Sequence, residues 1–461
     1  MLRISRSLVC ALVLLGASTT ARAQGPADPL VGPYREVAER IIRTALGDSS
    51  AHERLGRLVD GFGHRLSGSP ELEHAIDWVL AEMTKDGLDN PRTEPVKVPH
   101  WVRGQESAEL LAPRRAPLPL LGMGMTVGTP KGAITAPVIV VSSFDDLSSR
   151  ASEAKGKIVL FDVPFTDYGA TVQYRVRGAV EAAKVGAVAT LIRSVTPNSI
   201  RSPHTGTTRY DTTGTVPRIP IAALTVEDAA LLHRMQDRGD SITVRLIMGA
   251  KTLPDAPSRN VMAEVRGSER PDEVVVLGGH IDSWDVGTGA MDDAGGVVAA
   301  WEAIRLIQRM GLKPRRTIRA VGWTNEENGL RGGLAYRDAL GENAVKHVLA
   351  IESDGGSFRA TGFSFAGSDS ALGIVRRIAT LLAPMNADSI STPGGGADIG
   401  PLMQLGVPGM GLETANERYF WYHHSQGDTF DKIDPAELAS CVAAMAVMAY
   451  VVADMPEQLP R

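Results

Sequence analysis

The sequence predicts an α/β protein: a mixed, mostly parallel sheet flanked by helices, with a β-rich domain inserted into it. Three observations predict this. From residue 258 onward, strand-length apolar runs alternate with helical stretches: EVVVLGG, GGVVAAWEAIRLIQRMG, TIRAVGWT, LRGGLAYRDAL, HVLAIESD, SALGIVRRIATLL, GVPGMGLE and a long final PAELASCVAAMAVMAYVVADM. The strand runs are almost continuously apolar, as expected of strands covered on both faces. Between about residues 105 and 255 the texture changes to short β-like runs (APVIVVSS, GKIVLFDVP, AVATLIRS, IPIAALT, SITVRLIMG) punctuated by Pro and Gly turns.

The chain has 461 residues, which suits two or three domains. Its first residues read as an export signal. Arg3 and Arg6 make a basic start, residues 8–15 a short apolar core, and Ala21-Arg22-Ala23 a small-x-small cleavage pattern. The mature chain is then expected to begin at Gln24 and to be periplasmic or secreted. The apolar core is shorter than the roughly 20 residues of a membrane span, and no later run reads as a span, so no stable membrane insertion is expected. Apolar content of 43% with 22% charge belongs to a folded globular chain. Net charge is −5 with no basic block, which argues against a nucleic-acid partner. Of two cysteines, Cys10 lies in the signal, and Cys441 sits in an apolar helix as a small core residue. One cysteine excludes an intramolecular disulfide and a Cys-based zinc site.

Residues 34–88 read as helices. Ser69-Pro70-Glu71 supplies an N-cap, a proline at the first helical position and an acid in the first turn, and the helix closes at Gly87. Residues 93–101, TEPVKVPHW, alternate like a strand, and KTLPDAPSRN reads as a linker returning from the insertion. The expected division is signal 1–23, first part of the main domain 24–104, insertion 105–256 and catalytic part 257–461.

GHIDSWDVGTGAMDDAGG packs one histidine and four aspartates between an apolar strand and an apolar helix. Like charges this close are tolerated only in water or beside cations. The neighbouring strands carry the same pattern. His280 and Asp282 follow one strand, Glu326 and Glu327 another, and Asp354 a third, while His424 precedes the last helix. Open α/β sheets bind ligands beyond the carboxyl ends of their strands. Any one of these groups alone reads as a solvated loop acid; together they are ligand types for a borderline metal. His280, Asp292, Glu327, Asp354 and His424 are too many for one ion. Two ions sharing a bridging carboxylate would use all five.

Set in order, HxD, GAMDD, EE, SD and HSxxDT resemble the co-catalytic zinc exopeptidases of the M28 peptidase family. The resemblance covers nearly the whole mature chain. It implies the zinc exopeptidase fold, with the insertion as a protease-associated domain, and two Zn2+ per chain. His280 and His424 would each bind one ion, Asp292 would bridge, and Glu327 and Asp354 would complete the sites. Glu326 would be the general base, and Asp282 would hold the His280 imidazole by hydrogen bond. The implied activity is hydrolysis of dipeptides or short peptides with free termini, in a homodimer.

Several neighbours keep two readings. His423 rivals His424 as ligand or joins substrate binding. Asp293 reads best as a cap and Asp428 as a group ordering the loop. Asp398, in GGGADIGPL, either meets a substrate amine or caps a turn. Tyr422, with Tyr419, Phe420 and Trp421, is core or pocket wall. Three rivals to the peptidase reading are weaker. A nucleotide site would need a third glycine where Asp292 stands. A non-catalytic binding module predicts eroded ligands. A glutaminyl-cyclase-like acyltransferase would use one zinc. Aminopeptidase action on longer peptides stays open.

Overall fold

The computed structural model describes residues 28–461. The expected export signal and Cys10 lie outside the described residues.

The main sheet has eight strands. Four central ones are parallel, in the order Arg316–Trp323, Arg270–His280, His347–Glu352 and Gly409–Thr414. Antiparallel strands extend it on both sides: Lys251–Val265 beside Arg316–Trp323, and Ala360–Ala366 beside Gly409–Thr414. The period-two alternation of a strand is visible in its burial. Val275 and Leu277 face one core with the helices Arg35–Leu46, Ser50–Phe62, Pro70–Lys85, Gly295–Arg309 and Pro435–Asp454. Val274 and Val276 face the other, against Tyr336 and Leu402. Ser69 caps Pro70–Lys85 as expected, accepting from the Leu72 N–H at 3.2 Å.

Two expectations need correction. The final helix Pro435–Asp454, with mean hydropathy 1.9, is long and apolar enough by length and composition to cross a membrane. It is instead a core helix, buried between the sheet, Arg35–Leu46 and Gly295–Arg309. The supposed return linker is strand: residues 251–260 pair antiparallel with Asp89–Val102, from Glu94↔Asn260 to Val102↔Lys251. Its prolines misled the reading. They are tolerated because this stretch has a partner on one side only, where a missing N–H breaks no ladder.

The chain therefore leaves the main sheet along one strand and returns along its paired neighbour. Between them lies a second eight-stranded sheet. Its strands Ile134–Val141, Ile158–Phe161, Ala189–Arg193 and Ile221–Leu224 are parallel, with helix Tyr168–Lys184 on one face and Val226–Asp237 on the other. The insertion is thus itself α/β in part.

Candidate active site

The parallel strands deliver their chemistry to one rim. His280 ends its strand, Glu326 and Glu327 follow Trp323, and Asp354 follows Glu352. The loop before the final helix brings in His424. Asp292 stands at the centre of these groups. His280 Nε2 lies 3.1 Å from its Oδ1 and 3.4 Å from Asp354 Oδ1. His424 Nε2 lies 3.2 Å from its Oδ2 and 3.0 Å from Glu327 Oε2. Two triads thus share one carboxylate, and all five expected ligands come together.

The donor set fits a pair of borderline metal ions. Donor atoms held 2.0–2.1 Å from a tetrahedral zinc stand about 3.3 Å apart, close to the separations here. Asp292 Oδ2 is buried and, though 3.2 Å from His424 Nε2, has no hydrogen bond of ordinary geometry among the described residues. The acids also demand positive charge. Burial pushes His424 down, but Glu327 and Asp292 outweigh it and lift the imidazole to about 10. His280 is likewise raised, Asp292 and Asp354 outweighing burial. Burial, with the charge of Asp292, raises Glu327 to about 7. The same acids call for positive charge that cations between these atoms would supply.

Asp282 does not do what was expected. The His280 Nδ1 partner is the main-chain oxygen of Asp282 at 2.9 Å, and the carboxylate is 3.8 Å away. That carboxylate instead accepts the Glu326 N–H at 3.1 Å and the Ser67 hydroxyl at 3.3 Å. The chain turns sharply after His280, so the carbonyl reaches the ring first and frees the side chain for the neighbouring strand end. Asp293 caps Gly295–Arg309 through the Gly296 N–H and also accepts the His280 N–H. Asp428 orders the loop, accepting the Met291 and Asp292 N–H groups at 2.7 and 3.1 Å. Asp285 forms a bidentate pair with Arg103.

The adjacent glutamates diverge: Glu327 meets His424, whereas Glu326 lines a cavity of about 780 Å3. Burial, then the charges of Asp354 and Glu327, raises the Glu326 carboxyl well above its ordinary range. His423 also lines this cavity, stacked on His424 with its Nε2 3.7 Å from Asp292 Oδ2. Its ring reaches one of the candidate ligands; His424 reaches two.

Asp398 and Tyr422 are not among the residues lining this cavity. Asp398 is 1% exposed and neither of its oxygens has a hydrogen-bond partner among the described residues. Glu352 caps the Gly-rich turn in its place, accepting the Ala397 and Ile399 N–H groups at 2.9 Å. Burial and the Glu352 charge raise Asp398 well above its ordinary range. Tyr422 turns toward Lys432, and Tyr419 and Phe420 form the wall.

Sequence reasoning missed two arginines. Arg65, fully buried, donates to the carbonyls of Ile281, Gly63, Thr288 and Gly289 at 2.7–3.0 Å and so shapes the acidic loop. Arg175, from the inserted segment, lines the cavity with its Nη1 3.2 Å from His424 Nδ1. It makes no ion pair with a carboxylate among the described residues. Arg175 had no signal, because the insertion carries no clustered metal-ligand residues.

Known proteins resemble the chain over most of its length. Carboxypeptidase Q of Mus musculus is 50% identical over 434 residues, covering 94% of this chain and 92% of its own. The Homo sapiens carboxypeptidase Q is 49% identical over 429 residues, covering 92% and 90%. The sequence profile of Peptidase family M28 matches residues 260–450. The chain belongs to peptidase family M28. As a member of that family it is a metallopeptidase. A solved M28 peptidase precursor from Shewanella amazonensis superposes with TM-score 0.89 at 35% identity, over 93% of this chain and 98% of that one. The zinc aminopeptidase BSAP of Bacillus subtilis, at 20% identity and TM-score 0.66, covers 88% of this chain and 94% of its own and shares the fold.

Proposed function

We propose that this M28 chain is an exported di-zinc exopeptidase that hydrolyses dipeptides or short peptides with free termini. The observation that carries the reading is Asp292, set between His280 with Asp354 and His424 with Glu327, beside a cavity lined by Glu326. His280, Asp292 and Asp354 would hold one ion; His424, Asp292 and Glu327 the other. Bound zinc supplies a Lewis acid and lowers the pKa of water toward about 7. Glu326 takes a proton from the attacking water and returns it to the leaving amine. The Asp282 carboxylate holds the Glu326 backbone and thereby aims its side chain.

Arg175 supports a substrate with a free carboxylate. A buried cation is costly unless something anionic meets it, and this one lines the cavity without a carboxylate partner among the described residues. The insertion would be a protease-associated domain and the working form a homodimer, readings that rest on the family.

The test is amino-acid release from one free dipeptide, its N-acetyl form and its C-terminal amide, each with and without chelator, on protein of measured zinc content. Chelator-sensitive cleavage of the free dipeptide alone is expected. Cleavage of the amide as fast as the acid would replace this reading with an aminopeptidase. Refusal of all three by zinc-loaded protein would overturn it in favour of a cyclase-like acyltransferase.

A further inference from the structure

The segment that reaches the His423–His424 loop from behind belongs to the insertion, not to the main sheet. The His204 ring meets the His423 carbonyl at 2.7 Å from Nδ1. The Thr205 N–H donates to the His424 carbonyl at 2.9 Å. The Thr205 carbonyl in turn lies 3.4 Å from His424 Nδ1. Nearby, Thr196 donates its hydroxyl to the Phe420 carbonyl at 2.6 Å. Every one of these contacts acts on the short loop that carries His423 and His424.

The clamp is itself fixed. His204 and Thr205 are buried, at 3% and 1% exposure. The His204 N–H donates to the Ser194 hydroxyl at 2.9 Å, and that hydroxyl donates to Leu224 O at 2.6 Å, at the end of strand Ile221–Leu224. The Thr205 hydroxyl donates to Gly122 O at 2.7 Å. Burial holds His204 down at about 4, so the ring is neutral, and a proton on Nδ1 is what the His423 carbonyl requires. The clamp is therefore anchored in the second sheet and acts on a ligand of the first.

What it holds needs holding. His424 has φ +60°, a left-handed conformation that a residue with a Cβ keeps only when its surroundings over-determine it. The two carbonyl contacts do so. Metal-ligating histidines commonly donate the other ring N–H to a fixed acceptor, which sets tautomer and ring angle. The nearer neighbour of Nδ1 is the Arg175 guanidinium, a donor only, at 3.2 Å, with the Thr205 carbonyl at 3.4 Å, so the clamp fixes the ring through the main chain of His423 and His424. Nε2 is then left facing Asp292 and Glu327.

We propose that the insertion is a working part of one metal site: His204 and Thr205 are positioning residues that hold His424 as a ligand. This rests on the reading of His424 as a ligand. It makes the two ions unequal, since His280 takes its corresponding partner from Asp282, two residues away in the same domain.

The experiment is zinc titration of metal-free full-length protein against a competing chromophoric chelator, with folding followed by circular dichroism. His204→Ala is expected to weaken one of the two ions about 10- to 100-fold and leave the other unchanged. His204→Asn, whose amide N–H stands where Nδ1–H stood, is expected to restore most of the loss. At saturating zinc, kcat of the Ala variant recovers. Ser194→Ala, which keeps the ring and frees the His204 backbone, is expected to weaken the same ion and serves if His204→Ala does not fold. Wild-type affinity for both ions in the folded variants overturns the proposal. His424→Ala separates the two ideas. If it loses an ion and the clamp variants lose none, the clamp alone fails. If it keeps both ions, the ligand reading fails.

Discussion

The carboxylate of Asp282 accepts the backbone N–H of Glu326 at 3.1 Å. The contact joins the ends of two neighbouring parallel strands, and it fixes the turn from which Glu326 and Glu327 diverge. Ser67 and Asn325 extend it, the amide of Asn325 donating to the Ser67 hydroxyl at 3.0 Å. Asp282 thus acts on Glu326 and Glu327 through their backbone, while its own carbonyl serves His280.

That relationship gives a first prediction. Asp282→Asn keeps the shape but puts an amide donor where an acceptor was, opposite N–H groups. We expect kcat to fall about 10- to 100-fold, the usual cost of losing an outer partner of a metal site, with zinc content retained. Parallel measurement of kcat and bound zinc checks this. Loss of zinc in proportion to activity would show that Asp282 acts on ligation instead.

Glu326→Gln should fold, hold its metal and lose hydrolysis. A positioned general base is worth roughly 10²- to 10⁴-fold, and Gln cannot take the proton. The check is kcat beside zinc content and melting temperature. Activity near wild type would remove Glu326 from the role.

The site was legible in the sequence because its chemistry sits at strand ends. His280, Glu326, Glu327 and Asp354 each follow an apolar run, so the topology alone predicted that they meet. What was not legible works through the backbone. Asp282 was assigned the right neighbour and the wrong atom, since periodicity says nothing of whether a carbonyl or a carboxylate reaches a ring first. His204 and Thr205 act on carbonyls some 219 residues away in the chain, and main-chain partners leave no side-chain pattern. Asp398 carried a turn motif that in fact belongs to Glu352, a residue in a distant strand. The misread linker at 251–260 shows the converse: its prolines are a true local signal, overruled by a partner strand.

Removing the metal should cost stability as well as activity. The chain buries Asp292 and Glu327 and half-buries Asp354 and Glu326 around two histidines, and an ion bound only by the folded state stabilises it by about 4 kcal/mol at a thousandfold excess over Kd. We expect a clear fall in melting temperature with chelator and recovery on adding zinc back. An unchanged melting temperature in verified metal-free protein would mean the acids need no cation.

Acid sensitivity should arise partly from a histidine far from the site. His347, 1% exposed, begins its strand at the opposite end of the sheet from the cluster around Asp292, with Nε2 2.9 Å from the Tyr336 hydroxyl. Arg319 donates to that hydroxyl at 2.8 Å, and Arg461 donates to the His347 carbonyl. Burial, then the Arg319 charge, pushes the imidazole down from 6.5 to about 3. Between those values the unfolded chain binds the proton and the folded chain does not, so stability rises with pH. The contribution is present in full above about pH 6.5 and is lost as pH falls toward 3. Its size is on the order of 5 kcal/mol at a shift of this magnitude. His204, held at about 4 by burial, acts with the same sign. His347→Gln keeps an acceptor for Tyr336 and cannot titrate. Denaturant unfolding at about pH 5 and about pH 7.5 should therefore show a smaller loss of stability for the variant than for the wild type. Equal losses would place the proton elsewhere and leave His347 with a packing role alone.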